Sequence, residues 1–147
     1  MPVEPVEKTW MDGKLVAWDE ARIPILTHSV HYGTGVFEGI RAYRTAKGTA
    51  VFRLNDHVRR LFRSALLYHM DVPYSQEAIE DAIRETVVAN GMEECYIRPL
   101  VHRGFGEMGI NPLTAPVNVS ISVWASPWPG RGSAERSSCQ TRRRTSA

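Results

Sequence analysis

Cysteine is scarce in this chain. Its 147 residues hold two, Cys95 and Cys139, without the spacing a thiolate metal site requires. A chain of this length buries a core without disulfides, and a reducing cytoplasm is the expected compartment. No apolar run approaches the length of a membrane span. The opening residues 1–7 lack the basic and apolar regions of a secretory signal. Internal repeats are absent. Residues 131–147 contain no Ile, Leu, Val, Phe, Met, Tyr or Trp. Such a segment cannot offset its chain entropy by burial and is expected to be disordered. The body also lacks a basic excess. Of 18 Lys and Arg, five arginines (131, 136, 142, 143, 144) fall in this tail, and of 16 Asp and Glu only Glu135 does. That leaves 13 basic and 15 acidic side chains, net −2, in residues 1–130. Electrostatics therefore give no reason to expect nucleic acid as a partner.

What is present is the composition of a globular protein, 43% hydrophobic and 23% charged. Residues 1–8 read as a loose lead-in. Asp12-Gly13 between Thr9-Trp10-Met11 and residues 14–18 predicts a hairpin, since both turn positions favour positive φ. Residues 19–35 have no period and read as loop with short turns. Residues 36–44 predict a strand, Lys47-Gly48 a turn, and residues 49–53 its partner. Val58, Leu61, Phe62, Ala65, Leu66 and His69 recur at helical spacing, with Asn55 or Asp56 as cap and Pro73 as terminator. A second helix is capped by Ser75, carries Ala78, Ile79, Ala82, Ile83, Thr86 and Val87, and stops at Asn90-Gly91. Residues 94–103 predict a strand in which Pro99 marks an edge or a bulge. Alternation over 117–124 predicts the last strand, and residues 124–130 read as a linker. Strands, two helices, then strands make an α+β fold: a mainly antiparallel sheet with two helices packed on it.

The richest stretch is His31-Tyr32-Gly33-Thr34-Gly35-Val36-Phe37-Glu38-Gly39-Ile40-Arg41. Strand alternation puts Phe37, Gly39 and Arg41 on one face and Glu38 and Ile40 on the other. An aromatic, a bare backbone and a cation suit a flat anionic ligand, although a glycine-rich turn entering an ordinary strand has the same pattern. Arg59, Arg60 and Arg98 add planar cations suited to phosphate or carboxylate, with a solvated face as the simpler reading of at least Arg59 or Arg63. His28 and His31 supply too few ligands for zinc. Cys95 reads as an inert buried thiol.

Residues 31–43 resemble the branched-chain amino acid aminotransferases, within the class IV, fold type IV group of pyridoxal-phosphate enzymes. The resemblance continues through Phe52-Arg53, residues 57–61, Tyr96-Ile97-Arg98-Pro99-Leu100, Met108-Gly109-Ile110-Asn111-Pro112 and Pro127-Trp128. It implies a small N-terminal domain over residues 9–130. It implies that Arg60 binds the phosphate of pyridoxal 5′-phosphate and that Phe37, Gly39 and Arg41 line the substrate side. Tyr96 would bind the substrate carboxylate, Arg98 the side-chain carboxylate of glutamate, and Trp128 the apolar side chain. Tyr32, Met108, Gly109 and Ile110 would reach the partner subunit's site in a homodimer or higher homo-oligomer. The implied reaction takes leucine, isoleucine or valine with 2-oxoglutarate to the branched 2-oxo acid and glutamate, with neither nucleic acid nor membrane as partner.

The sequence departs from this family in one respect that matters to chemistry. Transamination needs a Schiff-base lysine, and none of Lys8, Lys14 and Lys47 matches it. The family's second domain and the tyrosine beyond Trp128 are likewise not matched. The expectation is a chain inactive by itself, its residues 131–147 read in a shifted frame or marking a fragment or fusion boundary. The alternative is a non-catalytic fragment that self-associates or binds full-length subunits; an arginine tail binding nucleic acid ranks below both.

Overall fold

In the computed structural model, which describes residues 4–125, all strands join one antiparallel sheet. Strands β1 (Lys8–Met11) and β2 (Lys14–Ala17) form the predicted hairpin, with Asp12 and Gly13 both at positive φ. Asp12 also ties this hairpin to the last strand, accepting from the Val119 backbone and the Asn118 side-chain amide. After a 3-10 turn at Trp18–Glu20 the chain makes a five-residue helix, α1 (His28–Tyr32). Its length explains why periodicity misses it. The helix ends at Gly33, whose φ of 66° closes it in the left-handed region.

The single strand expected over 36–44 is two: β3 (Gly35–Phe37) and β4 (Ile40–Thr45). Strand β5 (Gly48–Val51) returns beside β4. Helices α2 (Leu54–Leu67) and α3 (Gln76–Ala89) precede β6 (Cys95–Arg103) and β7 (Val117–Trp124). The strand order is β2-β1-β7-β6-β4-β5, and β3 pairs with β6 beyond the end of β4. Pro99 therefore lies in a central strand, and the edge expected for it is ruled out. The bulge alternative has a counterpart. The Glu38 N–H donates to the Pro99 carbonyl at the break between β3 and β4, so the missing Pro99 N–H points at that break and not at a ladder partner.

Helices α2 and α3 cover one face of the sheet. Ile40, Ile97, Val101, Val119, Ile121 and Val123 meet Val58, Leu61, Ala65, Ile79, Ile83 and Val87 there, all buried. The expected caps of α2 are displaced. Arg53 holds the N-cap position at a φ of 46° and its side chain caps no N–H of the helix, while Asn55 and Asp56 lie in the first turn. Asn55 bonds Glu80, and Asp56 pairs with Arg53 and Arg59. The helix also stops earlier than Pro73. His69 takes a φ of 51°, its N–H reaches the Leu66 carbonyl, and the Met70 N–H reaches Ala65. This Schellman closure turns Met70 into the core and leaves His69 exposed. Leu66, one residue past the buried Ala65, rotates off the stripe and is 69% exposed; Ala78 is also exposed. Ser75 caps α3 as expected, accepting from the Ala78 N–H. Trp128, and the 126–130 and 131–147 segments, lie outside the described residues.

Candidate active site

The uncovered face of the sheet carries the site. In β6, Tyr96, Arg98, Leu100 and His102 alternate with the buried Ile97, Pro99 and Val101, so they point away from the helices. The antiparallel register sets Arg41 opposite Tyr96, Phe37 opposite Leu100, and Trp124 opposite Tyr96 on the other side. The Arg98 guanidinium carbon stands 4.2 Å from the centre of the Phe37 ring and 5.4 Å from that of Tyr96. One Arg98 Nη–H donates to the Tyr96 hydroxyl at 3.2 Å. Tyr96 stacks on Trp124 with centroids 4.8 Å apart. The buried Arg98 Nε has no partner among the described residues. Gly39 completes the wall, because a Cβ there would lie 2.0 Å from the Tyr96 hydroxyl oxygen. Phe37, Gly39, Tyr96 and Arg98 are thus brought together, with Arg41 beside them over the Tyr43 ring.

Arg60 is placed differently. It projects from α2, and its Nε and one Nη donate to the two oxygens of Glu38 at 2.5 and 2.6 Å. His57 Nδ1 lies 3.0 Å from the same carboxylate. Glu38 is 5% exposed, whereas the Arg60 side chain is 66% exposed. Burial alone would raise the Glu38 pKa. Hydrogen bonds from Arg60 and His57, together with their charges, outweigh it and hold the carboxyl below the ordinary range. Arg60 borders a hollow of about 420 Å³ that Arg53, Asp56, His57, Arg59 and Arg63 also line, four arginines against one carboxylate, a net basic concavity suited to an anion.

Tyr32 and the 108–110 loop also meet. The Tyr32 hydroxyl lies 3.5 Å from the Met108 carbonyl, and the buried His28 links Thr34 to the Gly109 carbonyl. Ile110 is 87% exposed beside them. His28 and His31 turn to different partners, since His31 bonds the Ile25 carbonyl. A cleft of about 720 Å³ runs along the same sheet face, lined among others by Thr9, Arg22, Leu100, His102 and Ser122. Burial pushes the His102 pKa down, with Asp12 opposing, so the neutral ring is favoured.

Sequence reasoning missed Trp124 and the Glu38–His57 pair. Alternation from Val117 does place Trp124 on the open face. Glu38 carries a weaker signal, as the one acid in a run whose neighbours face the other way.

A profile of the amino-transferase class IV family matches residues 35–147. The chain belongs to this family. Among its relatives, a branched-chain-amino-acid aminotransferase of Pseudomonas aeruginosa is 48% identical over 116 residues. The match covers 79% of this chain and 38% of the relative. One from Escherichia coli is 38% identical over 128 residues, covering 87% of this chain and 41% of the relative. The crystal structure of a T.th. branched-chain amino acid aminotransferase complexed with N-(5′-phosphopyridoxyl)-L-glutamate aligns with a TM-score of 0.81 and 47% identity. That alignment covers 82% of this chain and 40% of the other. The same enzyme with pyridoxamine 5′-phosphate aligns at 0.82 and 45%, over 86% and 42%. The chain spans about two fifths of the length of these relatives.

The class IV aminotransferase fold accounts for the antiparallel sheet and its helices. The basic hollow at Arg60 fits the phosphate of a pyridoxal-type group. Lys8 and Lys14 are exposed at strand starts and Lys47 in the β4–β5 turn. Among the described residues no helix is long and apolar enough to cross a membrane.

Proposed function

We propose that this chain supplies the substrate wall and the phosphate-binding arginine of a branched-chain amino acid aminotransferase. The supporting observation is the wall formed by Phe37, Gly39, Tyr96 and Arg98, with an apolar ring, a phenol and a guanidinium within reach of one another. In this reading the Tyr96 hydroxyl and Arg41 receive the amino acid carboxylate, and Arg98 receives the second carboxylate of glutamate or 2-oxoglutarate. Phe37 faces the side chain of leucine, isoleucine or valine. One pocket then takes an apolar and an acidic side chain in turn, because a guanidinium stacked on an aromatic ring presents either an apolar or a charged surface. Pyridoxal 5′-phosphate would supply the electron sink for the amino-group exchange, with Arg60 on its phosphate. The small domain of that enzyme is built by the residues up to about 130, as the resemblance implies. The protein is a cytoplasmic homodimer, with Tyr32 and residues 108–110 reaching the partner's site. Residues 1–147 by themselves bind without turnover, as none of the three lysines stands at the wall.

The test is titration of the purified chain with glutarate and with 4-methylpentanoate. Arg98→Met is expected to weaken glutarate about tenfold or more, as loss of a charge-assisted contact does, while 4-methylpentanoate changes little. Equal loss of both ligands, or of neither, removes Arg98 from that role. Leucine–2-oxoglutarate turnover by residues 1–147, free of host aminotransferases, would overturn the claim of binding without turnover.

A further inference from the structure

The chain segment at the β3–β4 break is two-faced. Phe37 and Gly39 point to the substrate wall, and Glu38 between them points to the helix layer, where it takes both Nε and Nη of Arg60. We propose that Glu38 is a positioning residue, which locks the Arg60 guanidinium in register with the Phe37–Gly39–Tyr96 wall so that its free edge meets an anionic phosphate. The proposal rests on the phosphate role of Arg60 given above and adds how that arginine is held.

The geometry argues for holding, not for competition. A guanidinium carries five N–H donors in one plane. Two are committed to Glu38, and the outer edge faces solvent and the 420 Å³ basic hollow. Glu38 cannot follow an incoming anion. It is buried, its Oε2 is shared with His57, and its own N–H is fixed to the Pro99 carbonyl across the sheet. A two-thirds-exposed arginine would otherwise sample many rotamers, and the entropy lost on binding would fall on the ligand. Glu38 imposes that order beforehand. Arg53 and Arg59 line the same hollow but pair with Asp56, a carboxylate 37% exposed, whereas the carboxylate that holds Arg60 is buried. The same backbone step that sets Phe37 and Gly39 on the open face therefore also sets the carboxylate that holds Arg60.

The experiment titrates the purified chain with pyridoxamine 5′-phosphate, which has no aldehyde to react with surface lysines, and follows tryptophan fluorescence. In parallel, Arg Nε–H exchange is measured by NMR. Glu38→Gln should weaken binding about tenfold through lost preorganisation, and Glu38→Asp should recover part of it. In the wild type the Arg60 Nε–H should exchange more slowly than that of Arg63, and Glu38→Gln should abolish the difference. Unchanged or tighter binding in Glu38→Gln, with binding lost in Arg60→Ala, overturns the positioning role alone. Absent binding, or binding that Arg60→Ala leaves unaltered, overturns the phosphate role of Arg60 and the proposal with it. Should Glu38→Gln fail to fold, the wild-type exchange rates decide: equal rates for Arg60 and Arg63 overturn the lock.

Discussion

The Arg98 guanidinium lies 4.2 Å from the centre of the Phe37 ring, across the seam where β3 pairs with β6. Phe37 is 58% exposed, so the ring shapes a surface rather than filling the core. Phe37→Ala should cost less than about 1 kcal/mol of folding stability, as expected of an exposed site. It should weaken glutarate binding several-fold, because Arg98 loses a cation–π contact worth roughly 0.5–1 kcal/mol and the order it imposes. Urea denaturation and a glutarate titration on the same preparation separate the two effects.

Gly39→Ala would collide with the Tyr96 hydroxyl, 2.0 Å from the added carbon, and with the ring carbon behind it at 3.0 Å. The ring must move, which also disturbs its stack on Trp124. The expected cost is about 1–3 kcal/mol, typical of overpacking, with a loss of near-ultraviolet circular dichroism. Adding Tyr96→Phe should restore part of the stability, since it deletes the nearest atom. A double-mutant cycle that shows no coupling would place the strain elsewhere.

Acid stability should depend on Glu38. Its folded pKa is depressed by Arg60 and His57, so the unfolded state binds the proton more readily. The contribution is complete above the ordinary carboxylate pKa of about 4.3 and is lost as pH falls through the lower folded value. Glu38→Gln should cost on the order of 1–2 kcal/mol at neutral pH and should flatten the acid limb of stability against pH. The check is a series of urea unfolding curves from pH 7 to pH 3 for both proteins.

Burial pushes the Cys95 thiol up to about 11, and the residue is fully buried. The thiolate is the reactive form, so Cys95 should resist Ellman's reagent at pH 8 in the native state. In a Cys139→Ser background, labelling should appear only with unfolding. Rapid labelling in native buffer would mean that the core around β6 opens.

Much of the wall was legible before any coordinates. Alternation alone placed Phe37, Gly39 and Arg41 on one face, because a strand's period of two is local. Asp12-Gly13 and Ser75 were legible for the same reason: turn and cap chemistry act over a few residues. The extent of α2 was not. Its ends depend on what Asn55, Asp56 and Met70 find across the fold: Glu80, Arg53 with Arg59, and the core.

The sequence by itself determined the class of the fold, the face on which the wall residues stand, and the resemblance that the family match bears out. Only the tertiary structure decided which of those residues meet. Tyr96 stacks on Trp124 because β7 lies beside β6, and Glu38 holds Arg60 because α2 packs on the helix side of a broken strand. Periodicity reports which way a side chain points. Its partner, tens of residues away, is set by strand order and helix placement, which arise from burying one shared core.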